Sequence, residues 1–212
     1  MIIAIDGSAS SGKGTLAKRL AKHFGLSHLD TGALYRAVGL QLLNAGYDPK
    51  NIDENQFIKL CVELDITLTT SPLIRTERVA EMASLVAAVP VVRAALLDLQ
   101  RQFAAAPPEQ NGAILDGRDI GTVVLPDADI KFFLDANINT RAERRTKELL
   151  QARQSVMFRE VLLDMQERDR RDRCRSESPL RPADDAIVID TSTMDADGVM
   201  VLAISHINAL SG

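Results

Sequence analysis

The chain has 212 residues and a net charge of −4, which suits one α/β domain with a sizeable core. This charge excludes a protein that binds nucleic acid through its overall field. No stretch is long and apolar enough to span a bilayer, and we expect neither a signal peptide nor a membrane partner. Cys61 and Cys174 form neither a metal-binding pattern nor a disulfide framework, which favours a reducing cytoplasm. We therefore expect a cytoplasmic protein without a nucleic-acid partner, and nothing in the sequence demands more than a monomer.

Hydrophobic periodicity, glycines and prolines divide the chain into strands that alternate with helices. The predicted strands are residues 2–6, 27–30, 65–70, 113–116, 130–134 and 186–190. The predicted helices are residues 13–24, 31–44, 53–64, 77–88, 91–104, 139–151, 158–173 and 194–210. Apolar strands separated by helices predict a parallel sheet covered by helices on both faces. Ligands then bind beyond the carboxyl ends of the strands, where Asp30, Asp116 and Asp135 fall.

The first predicted strand leads into a glycine-rich segment, Gly7-Ser8-Ala9-Ser10-Ser11-Gly12-Lys13-Gly14-Thr15, directly before a helix. This is the context that a phosphate-binding loop requires, although a plain glycine-rich turn would look similar. Glycine allows backbone N–H groups to point at phosphate oxygens, and Lys13 adds a positive charge. The general pattern has Ser or Thr where Gly14 stands, so we expect Mg²⁺ to be held mostly by phosphate and water, with Thr15 nearby. The serines are interpreted as small loop residues rather than nucleophiles.

The second segment of interest is Leu29-Asp30-Thr31-Gly32-Ala33-Leu34-Tyr35-Arg36. Asp30 or Thr31 can cap the helix that starts here. Arg36 follows in the first turns, where a fixed cation could meet an anion at the edge of the sheet. The alternative is a capped helix with a surface arginine.

The third segment follows a buried strand and reads Asp116-Gly117-Arg118-Asp119-Ile120-Gly121-Thr122-Val123-Val124. An acid at this position suits a carboxylate that reaches Mg²⁺ through water. Gly117 and Gly121 bracket Arg118 and Asp119, so a tight loop would place a cation beside an acceptor. The alternative is a turn with an internal pair between Arg118 and Asp119.

The fourth segment, Glu167-Arg168-Asp169-Arg170-Arg171-Asp172-Arg173-Cys174-Arg175, is rich in arginine. On a helix, Arg168, Asp172 and Arg175 share one face. Arginines on a closing flap can stabilise the charge of a transferring phosphoryl group, whereas the alternative is a solvated, salt-bridged helix. The role of three further arginines stays open, and the three histidines are interpreted as structural. Arg141, Arg144 and Arg145 could be solvated or contact the nucleotide donor, and the structural histidines are His23, His28 and His206.

Together, these four segments resemble those of the bacterial cytidylate kinases, in order and over nearly the whole chain. The resemblance implies transfer of the γ-phosphoryl group of ATP to CMP or dCMP, with Mg²⁺ as cofactor. It also implies a three-layer P-loop kinase fold in one kinase domain, with a small insertion that binds the nucleoside monophosphate and a helical lid. The expected division is a core at about 1–45, 89–152 and 176–212, an insertion at 46–88 and a lid at 153–175, of which 154–168 moves.

The resemblance also assigns site residues. The catalytic residues would be Lys13, Arg118 and Arg168. The ATP phosphates would lie on Gly7, Ser8, Ala9, Ser10, Ser11, Gly12, Lys13, Gly14 and Thr15. CMP would be bound by Thr31, Tyr35, Arg36, Ser84, Arg93, Arg118, Asp119, Arg168, Asp172 and Arg175. Apart from the resemblance, the residues themselves make Thr15 and Asp116 the candidates to approach the metal through water.

Within that set, each group of residues has its own expected role. Arg36 and Arg118 would contact the acceptor phosphate, and Arg175 would lie on the phosphate side. The cytosine edge would be read by Ser84, Arg93 and Asp119. The acceptor sugar would be reached by Arg168 and Asp172.

One departure from the family lies in residues 64–76, which offer room for only one strand or a small hairpin. We therefore expect a shortened insertion. Two other functions stay open at this stage. One is a kinase for another small acceptor, such as UMP or a non-nucleotide acid. The other is a nucleotide-binding regulator without turnover, in which the arginine-rich segment binds a partner or nucleic acid.

Overall fold

The computed structural model describes residues 1–47 and 52–210. Residues 48–51 of the expected insertion and 211–212 of the expected core lie outside the described residues. The strands are β1 (Ile2–Gly7), β2 (Ser27–Asp30), β3 (Ala113–Gly117), β4 (Ile130–Asp135) and β5 (Ile187–Asp190). The helices are α1 (Lys13–Phe24), α2 (Thr31–Asn44), α3 (Glu54–Val62), α4 (Glu77–Val86), α5 (Pro90–Ala105), α6 (Ile138–Gln151), α7 (Phe158–Cys174) and α8 (Ala196–Ala209).

The strands form one five-stranded sheet in the order β2-β3-β1-β4-β5, and every neighbouring pair is parallel. Strand β1 is central, with Ile5 beside Asp116 on one side and Phe132 on the other. The expected α/β fold with a parallel sheet is therefore confirmed. In such a sheet the carboxyl ends of the strands share one edge, and the loop after β1 emerges in its middle.

The sheet is covered on both faces because successive side chains of a strand point to opposite sides. On one face, Ile3 and Ile5 pack with residues of α1 and α8, such as Leu20 and Ala203. On the other face, Ala4 packs in a cluster with residues of β3 and α5. The expected three layers are therefore present.

In the part of the chain that the structure describes, three further apolar clusters join elements outside the sheet, and two of them matter for the site. Leu34 of α2, Phe57 of α3 and Leu96 of α5 share one of them. The other joins α6 and α7 through Ala142 and Val161. Helix α7, which contains the arginine-rich segment, is thus held against α6 by burial of its apolar side.

The strand expected at residues 65–70 is wrong, because Ile66–Thr70 is a 3₁₀-helix. Local hydrogen bonds favour this turn: the Asp65 carboxylate accepts from the Thr67 backbone N–H at 2.9 Å, and the Thr69 hydroxyl donates to the Ile66 carbonyl at 2.6 Å. Such side-chain bonds compete with strand pairing. None of the residues in the turn is buried, so the alternating apolar side chains have no core to pack against as a strand.

A second 3₁₀-helix, Pro72–Arg75, follows directly, so the fully described segment 64–76 contains neither a strand nor a hairpin. A turn of π-helix at Ile120–Val124 was also not predicted. The division into core, insertion and lid stays a prediction. In the described residues, no single helix is long and apolar enough to cross a membrane. The pair Glu77–Val86 and Pro90–Ala105 reaches that length and apolar character only when the two helices are taken together, and they are bent by 98° at the break between them.

Candidate active site

The glycine-rich loop after β1 has a backbone that only small residues allow. A Cβ atom on Gly7 would lie 2.0 Å from the Leu134 carbonyl oxygen, so glycine is required by close approach to β4. Gly12 has a φ of 92° and stands at the start of α1, where it provides no side-chain cap. The first backbone N–H groups of α1 therefore stay available at the positive end of the helix, which is an arrangement that binds anions.

Lys13 begins α1 and places its ammonium beside the loop, 3.4 Å from the Ser8 carbonyl oxygen to which it donates. Burial, reinforced by the nearby Arg118 guanidinium, lowers the pKa of Lys13 to about 7. A phosphate in the loop would stabilise the charged ammonium. Ser8 and Ser11 are fully buried, and the Ser8 hydroxyl donates to Asp135, which agrees with their interpretation as structural loop residues.

A cavity of about 450 Å³ opens over the loop and reaches helices α2, α5 and α7. A cavity of this size is typical of sites for small ligands. The predicted site residues that line it are Ala9, Ser10, Gly12, Lys13, Gly14, Thr15, Thr31, Tyr35, Arg36, Ser84, Arg93, Asp116, Arg118, Asp119, Arg168, Asp172 and Arg175. Gly7, Ser8 and Ser11 lie behind this lining and shape the loop.

Helix α2 begins at the cavity with Asp30 as its cap, since the Asp30 carboxylate accepts from the Ala33 N–H at 3.1 Å. The Thr31 hydroxyl donates to the Asp116 carbonyl at 2.8 Å and joins α2 to β3. Arg36 is half-buried, lines the cavity and donates to the Ile74 carbonyl at 2.7 Å. Burial and then the neighbouring Arg145 lower the pKa of Arg36. The cap of the alternative interpretation is thus present, while the Arg36 side chain lines the cavity.

Arg118 and Asp119 do not pair with each other, so the alternative of a self-contained turn is wrong. The Arg118 Nε donates to an Asp172 carboxylate oxygen on α7 at 3.1 Å. Asp119 instead pairs with Arg93 of α5, whose guanidinium lies 5.8 Å from the centre of the Tyr35 ring. The loop after β3 therefore connects to two separate helices at the cavity.

Arg168 and Asp172 lie on the side of α7 that faces the cavity, as their spacing predicted. Arg175 also lines the cavity, but α7 ends at Cys174 and Arg175 follows in extended backbone, so the helical face predicted for all three residues forms only in part. The Arg168 Nε lies 4.0 Å from the Asp172 carboxylate. Burial, followed by repulsion from Arg118, lowers the pKa of Arg168 to about 10. Burial opposes the charge of Asp172, but its arginine neighbours outweigh burial and hold its pKa below the ordinary value. Such a cluster of cations favours a polyanionic ligand.

Asp116 lies at the end of β3 and uses its two carboxylate oxygens differently. Its Oδ1 is 2.7 Å from the His28 Nε2, while its Oδ2 faces Gly14, 3.6 Å from where a Cβ would be. Thr15 is exposed at the cavity. One carboxylate oxygen thus points at the phosphate loop, which fits a water-bridged Mg²⁺. Among residues 1–47 and 52–210, no three His, Cys, Asp or Glu side chains gather into a metal-binding group.

Asp6 is a residue at the site that sequence reasoning missed. Its buried carboxylate accepts from the backbone N–H groups of Ile120 and Gly121, each at 2.8 Å. Burial raises the pKa of Asp6 to about 7. Strand β1 is thereby bonded to the turn that follows Arg118 and Asp119. An acid at the end of an apolar central strand was the available signal, because a buried carboxylate requires partners.

The three arginines of α6 that were left open have separate partners. Arg141 is only 3% exposed, so it is not solvated, and it donates to the Ala9 carbonyl of the loop. Arg144 donates to the Thr191 hydroxyl and carbonyl. Arg145 lines the cavity and pairs with Glu77 and Glu148.

Comparison with known proteins identifies the family. A family model described as cytidylate kinase matches residues 3–209. The cytidylate kinase of Paramagnetospirillum magneticum is 50% identical over 98% of both chains. That of Methylocella silvestris is 51% identical over 96% of this chain and 92% of its own length. A solved structure of an uncharacterised protein from Eubacterium ventriosum, 16% identical with a TM-score of 0.54 over 98% of both chains, supports the fold alone. The chain therefore belongs to the cytidylate kinase family.

Proposed function

We propose that this protein phosphorylates CMP and dCMP with ATP as donor, giving CDP or dCDP and ADP. The observation that carries the proposal is the convergence of Arg36, Arg118 and Arg168 with Lys13 on one cavity above an open helix N-terminus. Family membership supports the same reaction. A site for a single phosphate would not need cations from three further elements, whereas transfer between two nucleotides does.

In this mechanism, ATP lies with its phosphates on the loop from Gly7 to Thr15. The backbone N–H groups at the start of α1 and the Lys13 ammonium bind the β- and γ-phosphates. Bound Mg²⁺ would be approached through water by Asp116 and Thr15, and it supplies neutralisation of the phosphate charge. His28 occupies the other Asp116 oxygen and so directs the carboxylate at the loop.

The acceptor phosphate would lie among Arg36, Arg118 and Arg168. One of its oxygens attacks the γ-phosphorus of ATP, the bond to the β–γ bridging oxygen breaks, and ADP leaves with that electron pair. No protein nucleophile is needed, because catalysis here rests on positioning and on stabilisation of charge at the phosphoryl oxygens. Arg36 is held by the Ile74 carbonyl, and Arg118 is held by Asp172 and by the Gly117 carbonyl, which limits reorganisation of these two side chains during the reaction.

The base would be read by Asp119, Arg93 and Ser84. The exocyclic amino group of cytosine is a hydrogen-bond donor, and the Asp119 carboxylate can accept from it. Uracil has a carbonyl oxygen at this position, which a carboxylate repels. Among the described residues, the buried Ser84 hydroxyl has no hydrogen-bond partner, which suits a contact to a ligand. This chemistry favours CMP over UMP.

The expected lid at residues 153–175 includes all of α7, and Arg168, Asp172 and Arg175 lie on it. Closure of this segment would bring the arginines to the phosphates and exclude water, which otherwise competes as acceptor. The short insertion at 46–88 includes the two 3₁₀-helices and α4, which provides Ser84. We infer that it covers the cytidine.

The test is an ADP-release assay with CMP, dCMP, UMP and AMP as acceptors. We expect the highest kcat/KM with CMP or dCMP. A higher value for UMP or AMP would contradict the acceptor assignment, and nucleotide binding without any CDP would favour a regulator.

A matched variant sharpens the acceptor assignment. Asp119→Asn replaces an acceptor with a group that also donates, so the ratio of kcat/KM for CMP to that for UMP should fall by at least about tenfold. The control is Asp127→Asn. Asp127 follows β3 in the sequence, as Asp119 does, but its carboxylate is exposed, so this change should leave the ratio unchanged.

A further inference from the structure

Behind the phosphate loop, the buried side chain of Arg141 reaches several parts of the site at once. Arg141 lies near the start of α6 and is 3% exposed. Its Nε donates to the Ala136 carbonyl at 2.8 Å, and its Nη1 donates to the Ala9 carbonyl in the loop at 3.3 Å. One guanidinium is therefore attached both to the end of the sheet and to the backbone that would bind the donor phosphates.

The same guanidinium also holds helix α7. Its Nη1 and Nη2 donate to the two carboxylate oxygens of Asp169 at 3.1 and 2.5 Å. Asp169 directly follows Arg168 and precedes Asp172 by less than one turn, but it points away from the cavity that those two residues line. The bidentate pair fixes how α7 is rotated, because two parallel bonds form in only one orientation.

Asp135, at the end of β4, provides a second connection between the same two elements. It accepts from the Ser8 hydroxyl in the loop and from the Arg173 Nη2 of α7 at 2.9 Å, and it lies 3.7 Å from the Arg141 Nε. The phosphate loop and the arginine-bearing helix are thus joined by a charged network on the side away from the substrates.

We propose that Arg141 is a positioning residue that couples occupancy of the phosphate loop to the orientation of α7. Nucleotide that binds the loop fixes the position of the Ala9 carbonyl, and the Arg141 guanidinium transmits this to Asp169 and so to Arg168, the residue directly before Asp169. Donor binding thereby strengthens binding of the acceptor, and the reverse holds by thermodynamic linkage. This inference rests on the proposed function, since it requires a donor and an acceptor.

The test compares wild type with Arg141→Lys and with the double variant Arg141→Met/Asp169→Asn. Lysine keeps the buried charge but cannot form the two-pronged pair with Asp169. The double variant removes both partners and so leaves no unpaired charge in their place, which protects folding. The control is Glu167→Gln, which breaks an exposed pair with Arg170 on the same helix.

Calorimetry would measure CMP affinity with and without Mg²⁺ and a non-hydrolysable ATP analogue. In wild type and in Glu167→Gln we expect the analogue to strengthen CMP binding at least about fivefold. In Arg141→Lys and in the double variant this enhancement should fall to less than about twofold, with each ligand alone bound within about threefold of wild type. In the same two variants, kcat should fall by a larger factor than the KM for ATP or the KM for CMP changes.

The outcomes separate the two proposals. Full enhancement in Arg141→Lys or in the folded double variant would overturn the coupling role, as would wild-type protein that binds both ligands without enhancement. Loss of enhancement in Glu167→Gln would overturn it too, because the effect would then not be specific to Arg141. Wild-type protein that neither binds nor phosphorylates CMP would instead overturn the proposed function.

Discussion

The two halves of the candidate site are built in opposite ways. The proposed donor half is one continuous segment, from Gly7 to Thr15, with positive φ at Gly7, Ser10 and Gly12. The proposed acceptor half collects Arg36, Arg93, Arg118 and Arg168 from α2, α5, the loop after β3 and α7. A phosphate can be bound by backbone N–H groups wherever a helix starts correctly, but recognition of one particular acceptor requires side chains that only folding brings together.

The two halves also differ in electrostatics. At the proposed donor loop, binding would use backbone N–H groups and the ammonium of Lys13. In the acceptor half, cations crowd one another, and burial and repulsion lower the pKa of Arg36 and Arg168. Asp172 offsets this repulsion, because its carboxylate lies 3.1 Å from the Arg118 Nε and 4.0 Å from the Arg168 Nε. An acceptor phosphate would complete that compensation, which gives the site affinity for anions.

The largest expected effect tests the donor half. Lys13→Ala should lower kcat by about 100- to 1,000-fold, because it removes the positive charge of the Lys13 ammonium, which would stabilise the transferring phosphoryl group. The fold should survive, since Lys13 forms only one long bond within the protein. Steady-state kinetics and thermal unfolding would measure both. Lys22→Ala, at the exposed far end of the same helix, is the control, and near-normal turnover in Lys13→Ala would contradict the mechanism.

The next effect tests the acceptor half. Arg118→Ala should lower kcat/KM for CMP by about 100-fold while the KM for ATP changes little. Folding should persist because Asp172 keeps Arg168 as a neighbour. The control is Arg170→Ala on the exposed side of α7, which should behave as wild type. An equal loss of ATP affinity would show that the two halves are not separable in this way.

A smaller effect tests the connection from β1 to the acceptor loop. In Asp6→Asn one of the two carboxylate oxygens becomes an NH₂ group, so only one oxygen is left for the two backbone N–H groups of Ile120 and Gly121. The turn after Asp119 should therefore loosen. We expect kcat/KM for CMP to fall by about tenfold. Asp129→Asn is the matched control, since Asp129 also accepts a backbone N–H, from Ile2, but at the opposite end of β1 from the glycine-rich loop. An unchanged Asp6→Asn enzyme would contradict the positioning role of Asp6.

The smallest effect is a proton taken up when ATP binds. The pKa of Lys13 is about 7 in the free protein, so at about pH 8 most of the ammonium has lost its proton. Bound phosphates favour the charged form and raise this pKa, so binding takes up a proton and ATP affinity falls as pH rises above about 7. Calorimetry in buffers of different ionisation enthalpy measures the uptake. Its persistence in Lys13→Ala would assign the proton to another group.

Most strands and helices could be predicted because each has its own periodicity and end signals. The clearest are β1, α1 and α2, where glycine or an aspartate cap marks a boundary. The strand predicted at residues 65–70 was wrong because the alternating apolar residues are not buried, and hydrogen bonds of the Asp65 side chain determined the local shape. The π-helical turn at Ile120–Val124 could not be predicted, since the buried Asp6 carboxylate that binds it lies more than 100 residues earlier in the chain.

By itself, the sequence determined the phosphate loop, the alternation of strands and helices and the positions of the arginines. These depend on neighbours in the chain, so local patterns report them. Only the tertiary structure decided that Arg118 pairs with Asp172, Arg93 with Asp119 and Arg141 with Asp169. The physical reason is that a buried charge takes whichever opposite charge the packed elements bring to it, and separation along the chain does not limit that choice.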